Sequence, residues 1–125
     1  MAFVLVVEDE DQVRVLAEGI LQDSGHTTLS ASTFDQALAL LENAERVDLI
    51  FTDLALQSDM QAGLVLAQEA TKRKITVPVL YTTGQGLTDG MQAMFVERYG
   101  FLAKPYTPEQ LVIAIENLLP KTAEQ

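Results

Sequence analysis

The fold turns on the stretch Val47-Asp-Leu-Ile-Phe-Thr-Asp-Leu-Ala-Leu56. From Leu49 to Thr52 every residue is apolar or β-branched, and the run then ends on a carboxylate, Asp53. A short apolar run bounded by polar residues reads as a strand buried on both faces of a parallel sheet. Asp53 would stand at the carboxyl end of that strand, where open α/β sheets place their ligand crevices. A carboxylate there is either a working group or a cap for the following loop.

Working outward, Phe3-Val-Leu-Val-Val7 is a second β-prone run, and it stops on four acids, Glu8-Asp-Glu-Asp11. Beyond it, Val13, Leu16, Ala17, Ile20 and Leu21 fall at helical spacing, which predicts an inward stripe, with Gly25 as the stop. Capping accounts for Glu10 and Asp11 but does not require Glu8 and Asp9. His26–Ser32 reads as a weaker strand, with His26 expected at its exposed start and given no role. Thr33 and Gln36 suggest a capping box for a helix to about Ala44, with Ala37, Leu38 and Leu41 inward.

After the loop 54–61, a helix over Gly63–Thr71 closes on Lys72-Arg-Lys74. Val77–Thr83 reads as the fourth strand, with Pro78 tolerable at its beginning, and Thr88–Arg98 as a short helix. Phe101–Ala103 is a short fifth strand. Thr107 and Pro108 then suit the cap and first position of a last helix with Leu111, Ile115 and Leu118 on one face. Five strands alternating with five helices specify an open parallel sheet covered on both faces. The reading is one domain over 1–125, with its core at about 3–119 and a tail over 120–125.

Composition narrows the function. The chain has 125 residues and no cysteine, so it has neither a disulfide framework nor a thiolate nucleophile. No apolar run is long enough to span a bilayer, and Met1–Glu8 lacks the basic start of a signal peptide. A cytoplasmic location is the expectation. With 18 acidic against 8 basic residues the formal net charge is −10, which disfavours direct contact with nucleic acid or anionic membrane. A few of those acids could instead cluster around a cation.

In this reading all the strand ends share one edge. Strand one delivers Glu8 and Asp9, strand three Asp53, strand four Thr83 and strand five Lys104. Carboxylates so close raise each other's pKa unless a cation intervenes, and an all-oxygen set with room for water suits Mg²⁺.

Four motifs, Val-Val-Glu8-Asp9, Phe-Thr-Asp53, Leu-Tyr-Thr-Thr83-Gly and Lys104-Pro105, stand in order on successive strand ends. Over roughly Phe3 to Leu119 the chain resembles a response-regulator receiver domain, the phosphorylatable module of two-component signalling. The resemblance implies a flavodoxin-like, doubly wound (βα)5 fold with strand order 2-1-3-4-5. It implies that Asp53 takes a phosphoryl group from a phosphohistidine or small phosphodonor. Glu8, Asp9, Asp53 and the backbone carbonyl of Ala55 would hold Mg²⁺, with Glu8 reaching it through water. Lys104 and Thr83 (rather than Thr82) would bind phosphoryl oxygens, Phe101 would be the switch aromatic or simply a core ring, and Lys104–Pro105 would be cis.

Implied partners are a histidine kinase or histidine phosphotransfer protein, and a downstream effector reading the 88–118 face. No turnover enzyme is expected. A binding-only pseudoreceiver is the alternative. A haloacid-dehalogenase-type phosphatase would want Asp where Ala55 stands, and a flavin or dinucleotide site would be repelled by Glu8–Asp11.

The chain departs from the family pattern at Glu8, where an aspartate is usual, and at Gln57, where proline is. The longer loop Ser58–Gly63 resembles those of hybrid-kinase receivers, and residues 57–62 are expected to be the most mobile. Ala55 and Gln85, each two residues beyond a site residue, predict slow to moderate self-dephosphorylation.

Overall fold

Side chains of β1 (Phe3–Val7) alternate between two cores, and that alternation organises the whole molecule. The computed structural model describes residues 2–54, 62–73, 77–83 and 99–119, the side chains of Leu64 and Thr83 excepted. In chain order the elements are β1, α1 (Asp11–Asp23), β2 (Thr27–Ala31), α2 (Phe34–Asn43), β3 (Leu49–Asp53), α3 (Ala62–Lys72), β4 (Val79–Thr83), β5 (Tyr99–Ala103) and α4 (Pro108–Leu118). The strands form one parallel sheet in the order β2-β1-β3-β4-β5. The helix expected over 88–98 lies outside the described residues.

Successive strand side chains point to opposite faces. Leu5, Val7, Ile50, Val79 and Tyr81 therefore join the core under α2 and α3. Val4, Val6, Leu49, Phe51 and Leu80 join the one under α1 and α4. Each fully buried aliphatic side chain, such as Leu5 or Ile50, contributes about 1.5–3 kcal/mol of apolar transfer. Among the described residues no helix is long and apolar enough to cross a membrane.

Helix ends follow local chemistry. Gly25 stops α1 with φ +92°, a left-handed conformation that glycine adopts without a Cβ penalty. Thr107 and Gln110 form a complete capping box, each side chain accepting the other's backbone N–H, with Pro108 at the first helical position. At α2 the box is displaced. Thr33 caps Gln36, but the Gln36 amide oxygen accepts from Ser32, one residue earlier than expected.

Several expectations are corrected. Leu16 is 64% exposed, not inward, because only Ala17 and Leu21 of the α1 stripe are buried. His26 is buried at 8% exposure, because its Nδ1 accepts the Ala2 backbone N–H at 3.1 Å and fixes the ring against the start of β1. Glu10 occupies the α1 N-cap position without a side-chain capping bond, and Asp11 pairs instead with Arg14. β5 begins at Tyr99, two residues earlier than the apolar run suggests, since Tyr99 pairs with Val79.

Candidate functional site

Parallel registration brings the carboxyl ends of β1, β3, β4 and β5 to one edge. Val7 lies opposite Thr52, Asp53 opposite Thr82, and Thr83 opposite Ala103. The residues just beyond these pairs are Glu8, Asp9 and Lys104. Continuity of the ladder, with Glu8 N–H donating to Ala31 O and Leu54 N–H to Thr82 O, fixes where each side chain starts.

Glu8 and Asp53 are buried, and Asp9 is half-buried. One carboxylate oxygen from each can be chosen so that all three lie within 4.8 Å of one another. Lys104 closes the cluster. Its Nζ donates to Asp53 Oδ2 at 2.6 Å and to Glu8 Oε1 at 2.8 Å. The second Glu8 oxygen accepts the Glu10 backbone N–H at 3.1 Å, and the Glu8 carbonyl accepts from Arg14. The Lys104–Pro105 peptide is cis.

Electrostatics follow from this packing. Burial alone would lower the Lys104 pKa, but hydrogen bonds and charge from Asp53 and Glu8 more than offset it and hold the ammonium above its ordinary value. Burial pushes the Glu8 carboxyl up, while Lys104 and the Glu10 amide pull it back. Among the described residues, three carboxylates against one ammonium leave an excess of two negative charges, which matches one divalent cation. The donors are all oxygen, and such a set suits Mg²⁺ better than zinc or copper. The residues present therefore fit the metal.

Of the site residues expected from sequence, Glu8, Asp9, Asp53 and Lys104 come together here. Thr83 ends β4 at the same edge, and its side chain lies outside the described residues. Thr82 is buried, and its hydroxyl has no hydrogen-bond partner among the described residues. Phe101 is half-buried against the core under α2 and α3. Ala55, the 57–61 segment and Gln85 lie outside the described residues.

Sequence reasoning missed Tyr106. Its ring packs edge-on against Phe51, with centroids 6.1 Å apart. Burial raises its phenol pKa, Lys104 lowers it, and Glu8 and Asp53 raise it further, so its hydroxyl senses the site's charges. The available signal was its place two residues after Lys104.

The model of the response regulator receiver domain family matches residues 4–116. Nitrogen assimilation regulatory protein NtrX of Azorhizobium caulinodans is 34% identical over 117 residues, which make up 93% of this chain and 26% of that protein. The chain thus spans about a quarter of the length of such relatives. Among solved structures, the receiver domain of NtrX from Brucella abortus superposes with a TM-score of 0.82 at 33% identity, covering 95% of this chain and 99% of that one. The receiver domain from the hybrid histidine kinase CckA gives 0.77 at 29% identity, covering 94% and 99%. With the strand order, the acid cluster and the family match in agreement, the chain belongs to the response regulator receiver domain family of two-component signalling.

Proposed function

We propose that this receiver accepts a phosphoryl group on Asp53 from a phosphohistidine, with Mg²⁺, and thereby changes an interaction surface. The observation that carries this is the Lys104 ammonium bridging Asp53 at 2.6 Å and Glu8 at 2.8 Å, beside Asp9, on the sheet edge where α/β folds bind ligands. An Asp53 oxygen attacks phosphorus as the bond to the donor imidazole nitrogen breaks. The electron pair of that bond leaves with the imidazole, and an acyl phosphate forms. Lys104, which donates to the Asp53 carboxylate in this structure, would instead donate to a phosphoryl oxygen once that carboxylate is consumed. Asp9 and Asp53 would hold Mg²⁺, with Glu8 behind them and the Ala55 carbonyl as a further ligand. The ion, when bound, offsets the charge repulsion of the transfer. Thr83 would bind a second phosphoryl oxygen, with Phe101 following its movement.

The partners in this reading are a histidine kinase or phosphotransfer protein and an effector that reads the 88–118 face. The net charge of −10 supports protein rather than nucleic-acid contacts for this segment, and a cytoplasmic setting suits the kinase chemistry. The chain takes part in its own phosphorylation without turning over a substrate.

The test is labelling with acetyl phosphate, read by mass and on a phosphate-affinity gel. The wild-type chain should gain one phosphoryl group in Mg²⁺ and none in EDTA, and Asp53→Asn should gain none. Labelled Asp53→Asn would sink the assignment. A wild-type chain that neither binds Mg²⁺ nor labels would point to a pseudoreceiver.

A further inference from the structure

Asp53 is held at its carbonyl as well as at its carboxylate. The hydroxyl of Thr52, a fully buried residue, donates to the Asp53 carbonyl oxygen at 3.0 Å. Gly63, in the first turn of α3, approaches the same atom. A Cβ added at Gly63 would lie 2.4 Å from that oxygen, 3.0 Å from Leu54 Cα and 3.1 Å from the Asp53 carbonyl carbon. These are backbone atoms at the end of β3 and just beyond it, which have no rotamer to change. The grip continues one residue on. Gly63 N–H donates to Leu54 O at 2.9 Å, and Leu54 N–H donates to Thr82 O at 2.9 Å. The chain leaving Asp53 is therefore held between β4 and the first turn of α3.

The other described glycines differ. Gly19 and Gly25 have open space where a Cβ would go, and at Gly100 the nearest atoms are on the side chains of Leu118 and Leu80. Gly63 alone among them lets helix backbone close onto the strand end that bears the candidate acceptor. The tolerance there is small. The Asp53 carboxylate must meet Lys104 at 2.6 Å while keeping an oxygen within 4.8 Å of Glu8 and Asp9. Site geometry has to hold to about 0.5 Å, and a displacement of about 1 Å can cost up to about a hundredfold in rate.

We propose that Thr52 and Gly63 are positioning residues, which together set the direction in which the Asp53 carboxylate leaves its backbone. They would thereby set both its aim at an incoming phosphorus atom and its share in holding Mg²⁺. The proposal rests on the reading of Asp53 as phosphoryl acceptor and adds to it two residues that touch neither donor nor metal.

The experiment compares Thr52→Val, Thr52→Ser, Gly63→Ala and Gly100→Ala with the wild-type chain. Three quantities are read: the urea midpoint, the Mg²⁺ dissociation constant by calorimetry, and the acetyl phosphate labelling rate at saturating Mg²⁺. Thr52→Val and Gly63→Ala should slow labelling by about tenfold and weaken Mg²⁺ severalfold. Thr52→Ser, which keeps the hydroxyl, should restore both. Gly100→Ala should lose stability and change neither. Wild-type labelling and Mg²⁺ affinity in Thr52→Val and Gly63→Ala would overturn the proposal, as would a serine variant as impaired as the valine one. If Gly63→Ala does not fold, the Thr52 pair decides. A wild-type chain that fails to label would remove the reading of Asp53 itself, and the Mg²⁺ affinities of the same variants would still decide the positioning.

Discussion

Lys104 and Asp53, 51 residues apart in sequence, meet at 2.6 Å, and the same ammonium reaches Glu8 at 2.8 Å. One cation thus compensates two buried carboxylates. The Lys104 side chain is 21% exposed, against 10% for Asp53 and 6% for Glu8.

Lys104→Met should accordingly destabilise the fold. Removing one partner of a buried pair leaves an uncompensated charge, which costs about 3–5 kcal/mol when burial is complete. Partial exposure of Lys104 brings the expected loss to about 2–3 kcal/mol. Urea denaturation in metal-free buffer measures it. Added Mg²⁺ should then recover more stability in the variant than in the wild type, because the ion takes over the lysine's compensation. An unchanged urea midpoint without metal would show that the bridge contributes nothing net.

His26 gives the fold a dependence on pH away from the candidate site. Burial lowers its pKa, the positive chain terminus lowers it further, and Glu116 opposes them. Its Nδ1 accepts the Ala2 N–H, so the neutral ring carries its proton on Nε2, which has no hydrogen-bond partner among the described residues. The folded histidine holds fewer protons than the unfolded one between its lowered pKa and about 6.5. Its stabilising contribution is therefore complete above that window and is lost as pH falls through it. One proton sets a ceiling of about 1.4 kcal/mol per pH unit. His26→Asn, which keeps an acceptor near Ala2, should flatten the change in urea midpoint between pH 7.5 and about 5.5 relative to wild type. Equal slopes for the two proteins would refute the assignment.

The capping box at α4 can be tested independently of phosphorylation. Thr107→Ala removes the acceptor for Gln110 N–H and should cost about 1 kcal/mol in urea denaturation. Labelling by acetyl phosphate should be unaffected.

These residues mark how far the sequence could be read. The runs ending in Val7 and Asp53 announce themselves because a strand covered on both faces is apolar at every position. Parallel registration then brings Glu8, Asp9, Asp53 and Lys104 to one edge without further information. Leu16 was misread because periodicity identifies the apolar face of a helix but not how far its neighbours extend over it. His26 was misread because its burial depends on a backbone amide 24 residues earlier, at Ala2. The displaced box at Ser32 and the close approach of Gly63 to Asp53 likewise depend on backbone paths that no local pattern encodes. Tyr106 went unnoticed because its relation to Phe51 exists only after α4 folds over the sheet.

The exposure of Leu16 leads to a prediction about the phosphodonor. Leu16 and Val15 are 64% and 61% exposed, and Leu16 lines a groove with Gln12, Val13, Lys104, Pro105 and Tyr106. Lys104 belongs both to this groove and to the acid cluster, so a protein presenting a phosphohistidine to Asp53 would lie across its rim. Covering the exposed part of Leu16 in such a complex is worth about 1–2 kcal/mol, enough for about tenfold in transfer rate. Leu16→Glu should slow transfer from a phosphorylated histidine phosphotransfer protein by about that factor while leaving labelling by acetyl phosphate, which needs no docking surface, at the wild-type rate. Equal losses with both donors would mean that the substitution damages the site itself. No loss with either would place the donor on a different face.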